Sequence, residues 1–136
     1  MYEAWSDASV RGDIGYIAYI VFEGDIIKYR FTARVNIDCN YTLEKLALCL
    51  LVKKVNELGI EQDEITIFTD CKGIPHQLSK KTSKVYTQFN LLIKEKIIRK
   101  YRKVISFKHG RRNKAHKLSR LDSINWFDYN TAIKFK

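Results

Sequence analysis

Apolar and β-favouring residues dominate the first 35 positions in three runs: residues 2–9, Gly15 to Phe22 and Ile26 to Val35. Two short breaks, Val10-Arg11-Gly12-Asp13 and Glu23-Gly24-Asp25, separate them. Gly next to Asp is turn chemistry, and runs rich in Ile, Val, Tyr and Phe between such breaks read as strands. The segment therefore predicts an antiparallel three-strand meander. From Thr42 the period changes: Leu43, Leu46, Ala47, Leu50, Leu51 and Val55 recur three and four apart, as on a helix face. Thr42 or Asn40 can cap the start of that helix and Gly59 can close its end. Glu64 to Thr69 predicts a fourth strand, leading into Asp70. Beyond it the pattern predicts a short helix around Ile74 to Leu78, with Pro75 in its first turn, and a polar loop, Ser79 to Ser83. Helical spacing through Phe89, Leu92, Ile93, Ile97 and Ile98 follows, then a fifth strand, Val104 to Phe107, and a final helix, Arg112 to Leu121.

The 136 residues and 46% hydrophobic content fit one domain, 1–136, built on one core. Its tail, 122–136, carries Trp126, Phe127, Tyr129 and Phe135, which suit either packing on the body or a dimer contact. Met1 to Trp5 lacks the basic start and apolar core of a signal peptide. The longest apolar stretch, Leu46 to Val52, is far short of the roughly 20 residues of a membrane span. The expectation is a soluble, cytoplasmic protein with no membrane partner and no small-molecule cofactor. Cys39, Cys49 and Cys71 are odd in number and have no paired-knuckle spacing, so reduced thiols are expected rather than disulfides or zinc.

Charge changes the picture more than composition does. Residues 1–71 hold 7 Lys/Arg against 12 Asp/Glu, whereas residues 72–136 hold 18 against 3, within a net charge of +10. The basic half is a candidate phosphate-binding surface. Its clusters, Lys80-Lys81-Thr82-Ser83-Lys84 and Arg99-Lys100-Tyr101-Arg102-Lys103, suit contacts to phosphates that carry no sequence information. Three acidic residues stand out in the other half. Asp7 interrupts a strand, Glu44 lies in the first turn of the long helix, and Asp70 ends the fourth strand. Carboxylates from separate elements are what a hard cation such as Mg2+ needs, and a pair of such ions assists phosphodiester cleavage. These settings let all three converge on one site.

Four motifs in register carry a resemblance to a known family: Ser6-Asp7-Ala8-Ser9, Asn40-Tyr41-Thr42-Leu43-Glu44, Thr69-Asp70-Cys71, and Asn113-Lys114-Ala115-His116-Lys117-Leu118-Ser119. From about Trp5 to Leu121 the chain resembles type 1 ribonuclease H. That resemblance implies an α/β fold, a five-stranded mixed sheet with its first three strands antiparallel and helices on both faces. It also implies metal-dependent cleavage of the RNA strand of RNA/DNA hybrids, with two ions, Mg2+ or Mn2+, when substrate is present. Asp7 would bridge the ions, Glu44 and Asp70 would complete one, and His116 would hold the other, at a position where the family has Asp. An imidazole brings no charge and suits Mn2+ better than Mg2+. A slower enzyme, an Mn2+-preferring enzyme, or a module that binds nucleic acid without efficient cleavage would each fit. Nucleases acting on DNA junctions share the fold as a further alternative.

The resemblance also implies substrate contacts. Asn40 falls on the minor-groove side, where 2′-hydroxyls distinguish RNA from DNA. His109, Arg111 or Arg112 would take the place of a mobile His that assists product release or proton transfer. Lys80, Lys81, Arg111, Arg112 and Asn113 would hold the nucleic acid. The long basic insertion of many bacterial members has no counterpart here, and His76 reads as structural or exposed.

Overall fold

Two glycines fold the N-terminal third. Gly12 and Gly24 sit at φ +65° and +58°, in the left-handed region that costs glycine little, and each turns one strand back on the last. The result is the expected meander of β1 (Tyr2–Arg11), β2 (Ile14–Glu23) and β3 (Ile26–Val35), with a bulge between Val21 and Phe22. The computed structural model describes residues 1–36, 39–73, 95–108, 114–116 and 127–128.

After β3 the chain enters α1 (Asn40–Glu57). The helix starts two residues before Thr42, so Asn40 and Thr42 lie within its first turn and Glu44, expected in the first turn, falls in the second. Cys39, in an extended conformation, occupies the cap position without a side-chain capping hydrogen bond. The far end is as expected: Gly59, at φ +73°, follows Leu58, whose amide donates to Lys54 O at 2.9 Å. A single 3-10 turn, Gln62–Glu64, leads into β4 (Ile65–Thr69). Of the predicted long second helix, α2 (Glu95–Tyr101) is described; the 3-10 turn Arg102–Val104 then feeds β5 (Ile105–Phe107). Within the predicted final helix, residues 114–116 form a turn. The short helix around Ile74 to Leu78 and the loop Ser79 to Ser83 lie outside the described residues.

The sheet order is β5-β4-β1-β2-β3-β6, where β6 is Phe127–Asp128. β4 runs parallel to β1, and β5 parallel to β4, so the five principal strands form the mixed sheet expected. The sixth comes from the aromatic tail, which lays Phe127 and Asp128 beside Ala33 and Arg34 of β3.

Alternation along the strands assigns the two faces. Ala4 and Ala8 of β1, Ile17, Tyr19 and Val21 of β2, and Ala33 and Val35 of β3 pack under α1 in the main core. That helix is buried continuously from Leu43 to Val52, because β1 and β2 lie against one side and α2 against another. Tyr101, at the end of α2, is fully buried and donates its hydroxyl hydrogen bond to Ile60 O. On the opposite face Trp5, Ile20 and Ala115 form a smaller cluster flanked by Phe22 and Phe68. The described helices thus cover one face, and the turn at 114–116 sits on the other.

Candidate active site

Strand register brings two acidic residues level. Ser6 pairs with Thr69 at the last rung of the parallel β1–β4 ladder, so Asp70 leaves the sheet beside Asp7. This is the carboxyl end of a parallel pair, the usual place for a site in an α/β sheet. With β4 ended, the next part of β1 has lost its neighbour on that side. Glu44 of α1 fills in: its Oε1 accepts a hydrogen bond from the Ala8 amide at 3.0 Å.

The fourth side chain reaches the site from the other face. Ala115, fully buried against Trp5 and Ile20, anchors the turn, and Lys114 Nζ bonds Glu3 Oε1 at 2.7 Å while lying over the Trp5 and Phe22 rings. The Trp5 indole N–H donates to the same Glu3 carboxylate. Burial works against the charge on Glu3, but Lys114 and Trp5 outweigh it and hold that carboxyl below its usual range. Anchored in this way, the turn points His116 inward, with Nδ1 3.4 Å from Asp7 Oδ2.

Asp7 is fully buried and Glu44 is 3% exposed, whereas Asp70 is half-buried and the His116 side chain is 33% exposed. The site therefore has a closed floor and an open side. Its electrostatics register on Glu44, whose pKa is pushed up to about 9 by burial first and then by the charges of Asp7 and Asp70. So much negative charge in a dry place fits a divalent cation, which reverses that penalty. Oxygen donors from three carboxylates and one imidazole nitrogen supply a suitable ligand chemistry. One ligand atom each from Asp7, Asp70 and His116 lies within 4.8 Å of the others, with Glu44 beside that set.

Other expected site residues fall differently. Asn40 is exposed at the first residue of α1, whereas Lys80, Lys81, His109, Arg111, Arg112 and Asn113 lie outside the described residues. The cluster Arg99, Lys100, Arg102 and Lys103 lines a depression with Gln62 near the entry ends of β4 and β5. Asp70 leaves the exit end of β4, five residues or about 16 Å away along the strand. These cations therefore sit away from the carboxylates, because α2 delivers them to the start of β5. Exposed Lys72 and Lys108 stand at the exit end, the Lys108 amide bonding Thr69 O at 3.0 Å. Lys45 was not anticipated: one position after Glu44, it is 5% exposed, with its ammonium 4.7 Å from the Tyr41 ring centroid. A lysine beside Glu44, immediately before the apolar stretch Leu46 to Val52, was the available signal.

No protein-family model and no curated protein sequence matches the chain. Solved structures do. The N-terminal RNase H domain of Rv2228c from Mycobacterium tuberculosis superposes with a TM-score of 0.66 at 15% identity, covering 87% of this chain and 88% of that one. LC11-RNase H1, isolated from compost by a metagenomic approach and solved in complex with an RNA/DNA hybrid, gives 0.65 at 14% identity over 88% and 93%. RNase H1 from the halophilic archaeon Halobacterium salinarum gives 0.60 at 16% identity over 87% and 89%. With the mixed sheet and its parallel β1–β4 pair, and with superposition over 87–88% of its length, the chain has a ribonuclease H-like fold.

Proposed function

We propose that the chain is a divalent-metal-dependent endonuclease that cleaves the RNA strand of RNA/DNA hybrids. The observation that carries this reading is the convergence of Asp7, Glu44, Asp70 and His116 at the exit of β4 in a fold of this kind. The hybrid bound by a structurally similar ribonuclease H1 supports the choice of substrate.

Divalent ions held by these side chains would polarise the phosphodiester and raise the acidity of an attacking water. The protein's own contribution is placement. The β1–β4 ladder fixes Asp7 and Asp70 at one level, α1 holds Glu44 against the Ala8 amide, and the 114–116 turn presents His116. The buried floor keeps water from the carboxylates, while the half-exposed Asp70 and His116 leave a side open to a phosphate. Asn40 on α1 would face the minor groove, and Lys72 and Lys108 would meet the backbone beside it. Lys80, Lys81, Arg111, Arg112 and Asn113 would extend that contact, with His109 as a helper in product release.

One observation favours a second reading, a nucleic-acid-binding module that cleaves poorly. At the fourth position an imidazole, with Nδ1 3.4 Å from Asp7 Oδ2, stands where a carboxylate would supply a further oxygen ligand. Both readings meet the same experiment: incubation of labelled RNA/DNA hybrid, duplex RNA and duplex DNA with the protein and with Asp70→Asn, in Mg2+ and in Mn2+. Cleavage of the RNA strand of the hybrid alone, lost in Asp70→Asn, is expected. Tight hybrid binding without cleavage in either metal selects the second reading, and cleavage of duplex DNA contradicts both.

A further inference from the structure

Four cations meet where α2 ends. Arg99 and Lys100 lie in its last turn, Arg102 and Lys103 in the 3-10 turn that follows, and with Gln62 they line an open depression of about 390 Å3. Two contacts fix the arrangement. The fully buried Tyr101 donates its hydroxyl hydrogen bond to Ile60 O, and Lys100 Nζ bonds Glu61 Oε2 at 3.1 Å. The end of α2 is thereby tied to residues 60–62. Cations in the last turn of a helix complement its terminal carbonyls, which accounts for Arg99 and Lys100. Arg102 and Lys103 lie past that turn and are exposed, so their placement adds repulsion that an anion in the depression would remove.

We propose that this depression binds the di- or triphosphate chain of a compact anion, at a site separate from the carboxylate cluster. Arg102 suits such a chain, because a guanidinium stays charged and presents paired N–H donors in the plane that phosphate oxygens accept. Lys103 adds a point charge, and Gln62 supplies a neutral amide at the rim. The depression lies near the entry ends of β4 and β5, whereas Asp7 and Asp70 meet at the exit end. The site is therefore independent of the nuclease reading and needs no divalent ion.

Three observations favour a compact anion over a nucleic-acid backbone. The volume falls within the roughly 300–1,000 Å3 of small-ligand clefts. Exposed Glu61, Asp63 and Glu64 flank Gln62, and their charges oppose an extended strand of phosphates more than an anion confined among the four cations. Tyr101, the aromatic residue of the cluster, is fully buried and offers no face on which a base could stack. The phosphate chain could belong to inorganic polyphosphate or to a nucleotide whose base points to solvent.

The test uses the full chain, freed of divalent ions on a chelating resin so that no metal couples an anion to Asp7 and Asp70. Tripolyphosphate, ATP and sulfate are titrated calorimetrically into the protein, into an Arg102→Gln/Lys103→Gln double variant and into Lys108→Gln, a cation at the exit end. Far-UV circular dichroism establishes that each variant is folded. Expected is one tripolyphosphate per chain, bound about tenfold or more tighter than sulfate. The double variant should lose about tenfold or more of that affinity, and Lys108→Gln less than about threefold. ATP bound as tightly as tripolyphosphate assigns the site to a nucleotide's chain, and weaker ATP assigns it to the inorganic chain; either result upholds the site. Several anions per chain, or equal losses in the two variants, would reveal only the general attraction of a chain with net charge +10 and would overturn the proposal. Displacement of bound tripolyphosphate by excess RNA/DNA hybrid would overturn it too, by making the depression a nucleic-acid contact.

Discussion

Glu44 is the residue whose chemistry depends most on its surroundings. Its folded pKa of about 9 lies above the usual carboxyl value, so between about pH 5 and 9 the metal-free folded state holds a proton that the unfolded chain has released. Stability from this group is therefore complete below about pH 4 and is lost as pH rises toward 9. In metal-free protein, urea denaturation across that range should show a decline of at most about 1.4 kcal/mol per pH unit, and Glu44→Gln should flatten it. A decline of the same size in the variant would remove Glu44 as its source. The cysteines offer a second check. Thr42 pulls the exposed Cys39 thiol below its ordinary range, first through its hydroxyl and then through its amide, whereas burial pushes Cys49 up to about 12. Alkylation at neutral pH with peptide mapping should find Cys39 modified first and Cys49 modified only on unfolding. At this scale the sequence was informative about identity but not about grouping. Asp7, Glu44, Asp70 and His116 were readable as a set. That ligand atoms of Asp7, Asp70 and His116 come within 4.8 Å of one another, with Glu44 held to the Ala8 amide, depends on a strand register and a backbone contact, neither of which leaves a mark in residue type.

Elements were legible wherever a period and a punctuating residue agreed. The meander has Gly12 and Gly24 at its turns, α1 has its three-and-four spacing and Gly59, and β4 has a β-branched run. The start of α1 was read two residues late, because polar side chains at Asn40 and Thr42 imitate caps although the chain already turns at Cys39. Phe127–Asp128 could not be read at all, since a two-residue strand exists through its neighbour and not through its own pattern. Two substitutions test the elements separately. Tyr101→Phe removes the donor to a buried Ile60 carbonyl and should cost about 1–3 kcal/mol of unfolding free energy. Gly59→Ala forces a side chain into a left-handed conformation and should cost about 1–2 kcal/mol, although no atom lies within 4 Å of the added Cβ. A neutral result in denaturant titration would mean that the end of α1 adjusts freely.

Across the whole molecule, the division of charge along the chain does not become a simple division in space. The cations of Arg99 to Lys103 gather near the entry ends of β4 and β5, while Lys72 and Lys108 stand at the exit end with Asp70. If hybrid lies over the carboxylates, Lys108→Ala should lower the salt slope of binding by about one phosphate contact, whereas Arg102→Ala should leave it unchanged. The reverse pattern in a salt series would place the nucleic acid at the other end of the sheet. If Asp7 holds the metal that cleaves the RNA strand, single-turnover cleavage will depend on it. Hybrid labelled separately on each strand is mixed with excess protein or Asp7→Asn, in Mn2+ and in Mg2+. Fragments are expected from the RNA strand only, faster in Mn2+ than in Mg2+, with the rate in Asp7→Asn reduced by about a thousandfold or more. Cleavage that persists undiminished in a folded Asp7→Asn protein, or fragments arising from the DNA strand, would contradict it.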